Sequence, residues 1–134
     1  MTRATGELPA AARAFLARDA AATLTTLRPD GTLHVTAVRF TYDAAAGLAR
    51  VTTRASTRKV RNVLAGGASA RAALCQADGF RWVTLEGRAS VSADGTRLAD
   101  AVRRYTARYH APPPAPPDLV VIEIDVERVL SLNL

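Results

Sequence analysis

Residues 52–62, TTRASTRKVRN, change character half-way along. With Val51 ahead of them, Thr52 and Thr53 make a β-branched run that reads as a strand. From Ser56 the stretch reads as a helix, with Ser56 or Thr57 placed to cap its first turn. Lys59, the one lysine of the chain, sits here among Arg54, Arg58 and Arg61. Cations in a first turn face the positive end of the helix dipole, which costs the helix a few tenths of a kcal/mol. A strand that turns straight into a helix also presents free backbone N–H groups, so a bound anion would reverse the sign of that cost. The residue pattern alone leaves two readings open, an anion site or a solvated basic helix end.

Outward from this stretch the chain has a regular rhythm. ELPAAARAFLARD (7–19) predicts a helix with Pro9 in its first turn. ATLTTL and TLHVTAVRFTY predict strands on either side of RPDG, where Pro29 presets the turn and Gly31 supplies a positive φ. After DAAAG comes the strand LARVTT, then a helix from Ser56 to Leu64 that stops at AGG. ARAALCQ and FRWVTLEGRASVS are strands joined through ADG. A helix over 96–109 carries Leu98, Ala101, Val102, Tyr105 and Tyr109 on one face. The proline-rich segment 111–117 is an extended connector, and LVVIEIDV and RVLSLNL close the chain as strand-like segments. Strands with short turns and no βαβ alternation predict a mainly β fold, a small closed barrel with helices outside, as a single domain over 1–134.

Composition narrows the function classes. The net charge of +6 points to an anionic partner, but 17 of the 18 basic residues are arginine, which dilutes that signal. A nucleic-acid-binding barrel is an alternative on charge alone; aromatics at 5% are too few for a stacking platform, so no nucleic-acid partner is expected. One cysteine, Cys75, excludes an intrachain disulfide, and the N-terminal segment has no long apolar run. A cytoplasmic protein with neither signal peptide nor membrane association is expected. No metal-ligand spacing, nucleophile elbow or dinucleotide fingerprint occurs.

In order, TTLRPDG, LHVTAVRFTYD, ARVTT, STRKVRN, DGFRWVTLEGRA and VVIEIDVERVL resemble the flavin/deazaflavin oxidoreductase family built on the split β-barrel, the fold of pyridoxamine 5′-phosphate oxidase. RWVTLEGRA and RYTARYHAPPPAP look most like the branch that uses the deazaflavin coenzyme F420, in particular its biliverdin reductase group. The resemblance implies a six- to seven-stranded split barrel with two or three short flanking helices. It implies that Thr52, Thr53, Ser56, Thr57, Arg58, Lys59 and Asn62 grip the cofactor phosphate. His34, Val35, Ala37 and Val38 would lie along the deazaflavin ring, and Trp82 would approach it, often from the neighbouring subunit of a homodimer. The implied activity is an F420H2-dependent reduction of a conjugated double bond in a small molecule, a biliverdin-like tetrapyrrole or a natural-product enone. FMN is the alternative cofactor, no catalytic side chain is assigned and no metal is expected.

Two departures from the family pattern stand out: Arg54 where glycine is common, and AGG where an Asp/Asn-Pro pair is common. Structural readings accompany the functional ones. His34 could be a packing residue, and Trp82 a core or interface residue. Tyr105 and Tyr109 are expected to be structural, Glu86 to pair with an arginine, and Cys75 to be a small buried hydrophobe. Arg103, Arg104 and Arg108 could meet substrate carboxylates or form a solvated face.

Overall fold

The computed structural model describes the short strand β1 (Thr2–Arg3) and residues 8–134. Helix α1 spans Ala10–Leu16, β2 Ala22–Leu27, β3 Leu33–Val38, β4 Thr41–Asp43 and β5 Leu48–Arg54. Then come α2 (Arg58–Gly66), a 3-10 turn at Gly67–Ser69, β6 (Arg71–Asp78), β7 (Arg81–Ser92), α3 (Gly95–Tyr109) and β8 (Leu119–Leu132). Glu7, at the start of the predicted first helix, lies outside the described residues; the helix itself begins after Pro9. No described helix is long and apolar enough to cross a membrane.

Every pairing is antiparallel. The strands run in the order β3-β2-β6-β7-β8-β5-β4, with β1 alongside β8. Strands β3 and β4 therefore stand at opposite ends of the path, although only Arg39 and Phe40 separate them in the chain. The chain itself closes the barrel there, which makes the fold mainly β and of the split-barrel kind. This corner corrects the reading of TLHVTAVRFTY as one strand: it is two, with different partners.

A backbone that leaves its sheet must find other hydrogen-bond partners, and at Phe40 helix α3 supplies them. The Tyr109 hydroxyl accepts from Phe40 N at 3.1 Å and donates to Phe40 O at 2.8 Å. Arg108 Nη1 donates to the same carbonyl at 2.6 Å, while its Nη2 reaches Gln76 Oε1 at 2.8 Å. Helix α3 begins at an Asp94 cap, whose carboxylate accepts from Arg97 N at 3.1 Å. It ends at His110, whose φ of 62° takes the left-handed conformation usual for a helix stop. The segment 111–117 then has no regular structure, as a proline run dictates. Phe40, Leu24, Leu74, Leu85, Ile122 and Ile124 are essentially without solvent exposure and fill the barrel.

The two closing segments of the sequence form one strand, β8, bulged at Glu127: Glu86 pairs with Arg128 and Gly87 with Val126. The bulge presses the chains together at Gly87, where an added Cβ would lie 1.9 Å from Asp125 O. Glu86 meets Arg128 at 3.5 Å, the expected pairing.

Candidate functional site

Helix α2 starts without an acceptor of its own. Thr57 at the N-cap makes no side-chain cap, because its Oγ1 donates to Arg54 O at 2.9 Å instead. No acidic residue stands in the first turn. The first-turn N–H groups therefore meet only Ser56, Thr57, Arg58 and Lys59, and nothing negative balances the helix dipole. Arg54 is tied to Asp118 at 3.1 Å, and Ala55 N donates to Asp118 O at 2.9 Å, so the loop before α2 is fixed by an ion pair and a backbone hydrogen bond.

Beside that helix start lies a groove of about 240 Å³. Ala37, Val38 and Arg39 form one wall and Val51, Thr52 and Thr53 the other, with Lys59, Tyr105 and Pro114 around the ends. Lys59 is half-buried and has no ion pair among the described residues. Burial holds its pKa below the ordinary lysine value, since desolvation opposes the charged form. Across the groove, Arg39 lies over the Tyr109 ring at 4.9 Å and donates to the Tyr105 hydroxyl at 3.0 Å. Two cations thus border a groove that no carboxylate lines.

The predicted site residues fall into five places. Ala37, Val38, Thr52, Thr53 and Lys59 meet in the groove, and Ser56, Thr57 and Arg58 stand at the helix start beside it. Asn62 is buried and donates to Thr26 Oγ1 at 3.0 Å, which fastens α2 to β2. His34 is on the inward side of β3, and its buried Nδ1 has no hydrogen-bond partner among the described residues. Val35 and Trp82 are on the outer face of the sheet and do not line the groove. Sequence reasoning missed Arg39 and Pro114 and took Tyr105 as structural only. The usable signal was the i,i+4 tyrosine pair facing the arginine at the corner, which becomes visible only once the corner is known.

Burial, then the charges of Arg28, Lys59 and Arg58, hold the His34 imidazole below its ordinary 6.5. The unfolded chain therefore takes up the proton first as pH falls. The contribution of His34 to stability is complete above about pH 6.5 and is lost as pH drops through the folded value. The melting temperature is expected to fall between about pH 7.5 and about pH 5.5, and to fall less in His34→Gln. Equal slopes for the two proteins would assign the pH dependence to other groups.

The outer face of the sheet is the second feature of the site. Across β3, β2, β6, β7 and β8 the register aligns Val35 with Thr25, Ala73, Glu86 and Arg128, and Ala37 with Thr23, Cys75, Thr84 and Leu130. Leu33, Leu27, Trp82 and Leu132 extend these rows. Leu33 is 63% exposed and Val35 58%, so an apolar patch stands open on this face, with the Glu86–Arg128 ion pair at its far side. Cys75 lies on this face, half-buried rather than in the core. Ala37 belongs to both the face and the groove, so the face runs into the groove.

The sequence profile of the Pyridoxamine 5'-phosphate oxidase family matches residues 8–133. The chain belongs to this family. Within it, the chain is 45% identical over 131 residues to the F420H(2)-dependent biliverdin reductase of Mycobacterium tuberculosis (strain CDC 1551 / Oshkosh), covering 98% of this chain and 93% of that one. A solved F420 reductase superposes with a TM-score of 0.71 at 26% identity, over 92% of this chain and 98% of the other. A conserved hypothetical protein of Mycobacterium tuberculosis shares the fold at a TM-score of 0.77 and 23% identity, over 97% of this chain and 88% of the other. The predicted family, its F420-dependent branch and an oxidoreductase relative are all met by these matches.

Proposed function

We propose that the chain is an F420-dependent reductase of a conjugated double bond in a small molecule, a biliverdin-like tetrapyrrole or a natural-product enone. The identity to the F420H(2)-dependent biliverdin reductase over nearly the whole chain carries this reading. The groove suits the phosphate end of such a cofactor, because beside it stand an uncapped helix start and a half-buried lysine with no ion pair among the described residues.

In this reading Thr52, Thr53, Ser56, Thr57, Arg58 and Lys59 hold the cofactor phosphate. Each charge-assisted hydrogen bond there contributes roughly 1.5–3 kcal/mol. Ala37 and Val38 give a flat wall of small side chains for a ring. When bound, the reduced deazaflavin supplies the hydride; the protein supplies orientation, exclusion of water and electrostatics. Arg39, held in place by Tyr105, stabilises negative charge on the substrate. A cytoplasmic setting suits the free Cys75.

The test is a fluorescence titration of the purified protein with F420 and with FMN at two salt concentrations. Micromolar or tighter binding of F420, weakened by salt, with weak FMN binding is the expected result, followed by turnover of biliverdin with F420H2. Tight FMN binding without F420 binding would transfer the chain to the flavin branch. Binding of neither would end the reductase reading.

The same reading requires a homodimer. A groove of about 240 Å³ falls short of the roughly 300–1,000 Å³ of sites that enclose a small organic ligand. The open apolar face that runs into it offers the surface for a second copy, whose Trp82 would then help to close the site. Val35→Asp places a charge in that face and is expected to give a monomer in light scattering with weakened F420 binding. A wild-type monomer at micromolar concentration would remove the dimer from this account.

A further inference from the structure

Helix α3 brings two tyrosines to the corner, their rings 4.8 Å apart, and their hydroxyls are used differently. The Tyr109 hydroxyl is spent: it accepts from Phe40 N and finds acceptors in Phe40 O at 2.8 Å and Ala20 O at 3.2 Å. The Tyr105 hydroxyl accepts from Arg39 Nη1 at 3.0 Å and donates to no described residue. With the guanidinium donating to its oxygen, the phenol proton is left for another acceptor. Tyr105 borders the groove with 9% of its surface open, and Arg39, which meets its hydroxyl, is exposed. The uncommitted proton therefore stands at the groove.

The other residues around the groove offer no comparable acid. Ala37, Val38, Val51 and Pro114 have no side-chain proton to give, and Thr52 and Thr53 carry alcohols, which are far weaker acids than a phenol. Arg39 keeps its proton throughout. Lys59 stands at the start of α2, where the proposed function gives it the cofactor phosphate.

Reduction of a conjugated double bond needs such an acid. When a hydride adds to one end, a C–H bond forms and the π electrons move to the far end as a negative charge. The hydride and its two electrons come from F420H2, which is thereby oxidised. The Tyr105 O–H bond then breaks and its proton joins the substrate anion. The phenolate left behind faces the Arg39 guanidinium until water at the open groove returns a proton.

We propose that Tyr105 is the general acid that protonates the reduced substrate, with Arg39 stabilising the negative charge first on the substrate and then on the phenol oxygen. This rests on the reductase reading and adds the proton donor to it.

The test uses Tyr105→Phe, which keeps the ring packed on Tyr109 and loses only the hydroxyl. Its F420 dissociation constant is expected to match that of the wild type, while kcat with F420H2 and biliverdin falls at least about a hundred-fold. Cyclohexenone replaces biliverdin if only the enone reacts. A second readout needs no turnover. Tyrosine labelled with ¹³C at Cζ gives three signals, from Tyr42, Tyr105 and Tyr109. The signal lost in Tyr105→Phe identifies Tyr105, and Arg39→Gln, which removes its hydrogen bond, identifies it if the phenylalanine variant does not fold. With oxidised F420 bound no hydride is available, so the same substrate forms a stable complex. Its addition is expected to move the Tyr105 signal most, a change that a hydroxyl serving only to hold Arg39 would not show. Wild-type kcat in Tyr105→Phe, or a Tyr105 signal that the substrate leaves in place, would overturn the proposal while the reductase reading stands. A wild type that reduces neither biliverdin nor cyclohexenone with F420H2 would end both.

Discussion

Lys59→Ala is expected to weaken F420 binding by about 1.5–3 kcal/mol, roughly ten- to a hundred-fold in the dissociation constant, with no loss of fold. Lys59 is half-buried beside an uncapped helix start and has no carboxylate partner among the described residues. A cation held without a counter-charge contributes little to the empty protein, and desolvation works against it there. Its removal should therefore leave the melting temperature level or slightly higher while the ligand loses a charge-assisted contact. That separation of stability from affinity distinguishes a ligand-holding lysine from a structural one. Fluorescence titration beside a thermal melt reads both quantities. An unchanged dissociation constant would take Lys59 out of the site, and a collapsed melt would make it structural. Lys59→Arg should rescue only part of the affinity, because the planar guanidinium does not reproduce a compact ammonium.

Gly87→Ala is expected to cost the fold about 3 kcal/mol, the upper end of the usual range for overpacking. The new methyl group would stand 1.9 Å from Asp125 O and within 3.0 Å of Glu127 N, both backbone atoms of the bulged partner strand. No rotamer change relieves a clash between a Cβ and a backbone, so β7 and β8 would have to part at their bulge. Urea denaturation should show a lowered midpoint with little change in slope. Wild-type stability in Gly87→Ala would mean that the strands lie farther apart than described.

Much of this architecture was legible in the sequence because its local signals agree with the final fold. RPDG is a tight turn with Gly31 at a φ of 85°, and ATLTTL is β2 to the residue. The Asp94 cap, the stripe through Tyr105 and Tyr109 and the proline stop delimit α3. The corner at Arg39 and Phe40 escaped for a physical reason. Val38 and Phe40 are both buried and Arg39 is exposed, so the in–out alternation of β3 continues through the corner and breaks only at buried Thr41, by which point the partner has changed from β2 to β5. Periodicity reports which face a side chain takes and not which strand lies beside it. The gap left between the last two segments had a different origin, since it falls at the bulge residue Glu127, where alternation does break.

The candidate site was legible in part for the same reason. Thr52, Thr53 and Lys59 are close in sequence, and strand-to-helix geometry alone brings them together. Arg39 and Pro114 join them from distant parts of the chain through the corner and the proline segment. Trp82 and Val35 carried no local mark of facing outward, because a β-rich sequence looks the same whether its apolar side meets a core or a second sheet.

Strand β8 lies between β7 and β5 in the middle of the sheet. Until residues 119–132 have been synthesised, β5 and β7 each present a bare row of backbone donors and acceptors, and the barrel cannot shut. Folding on the ribosome must therefore wait for residues 119–132, through pairings as remote as Leu48 with Asp125. The vulnerable species in the life of this protein is the nascent chain before β8 has been made, with two sticky edges and no strand yet to fill the space between them.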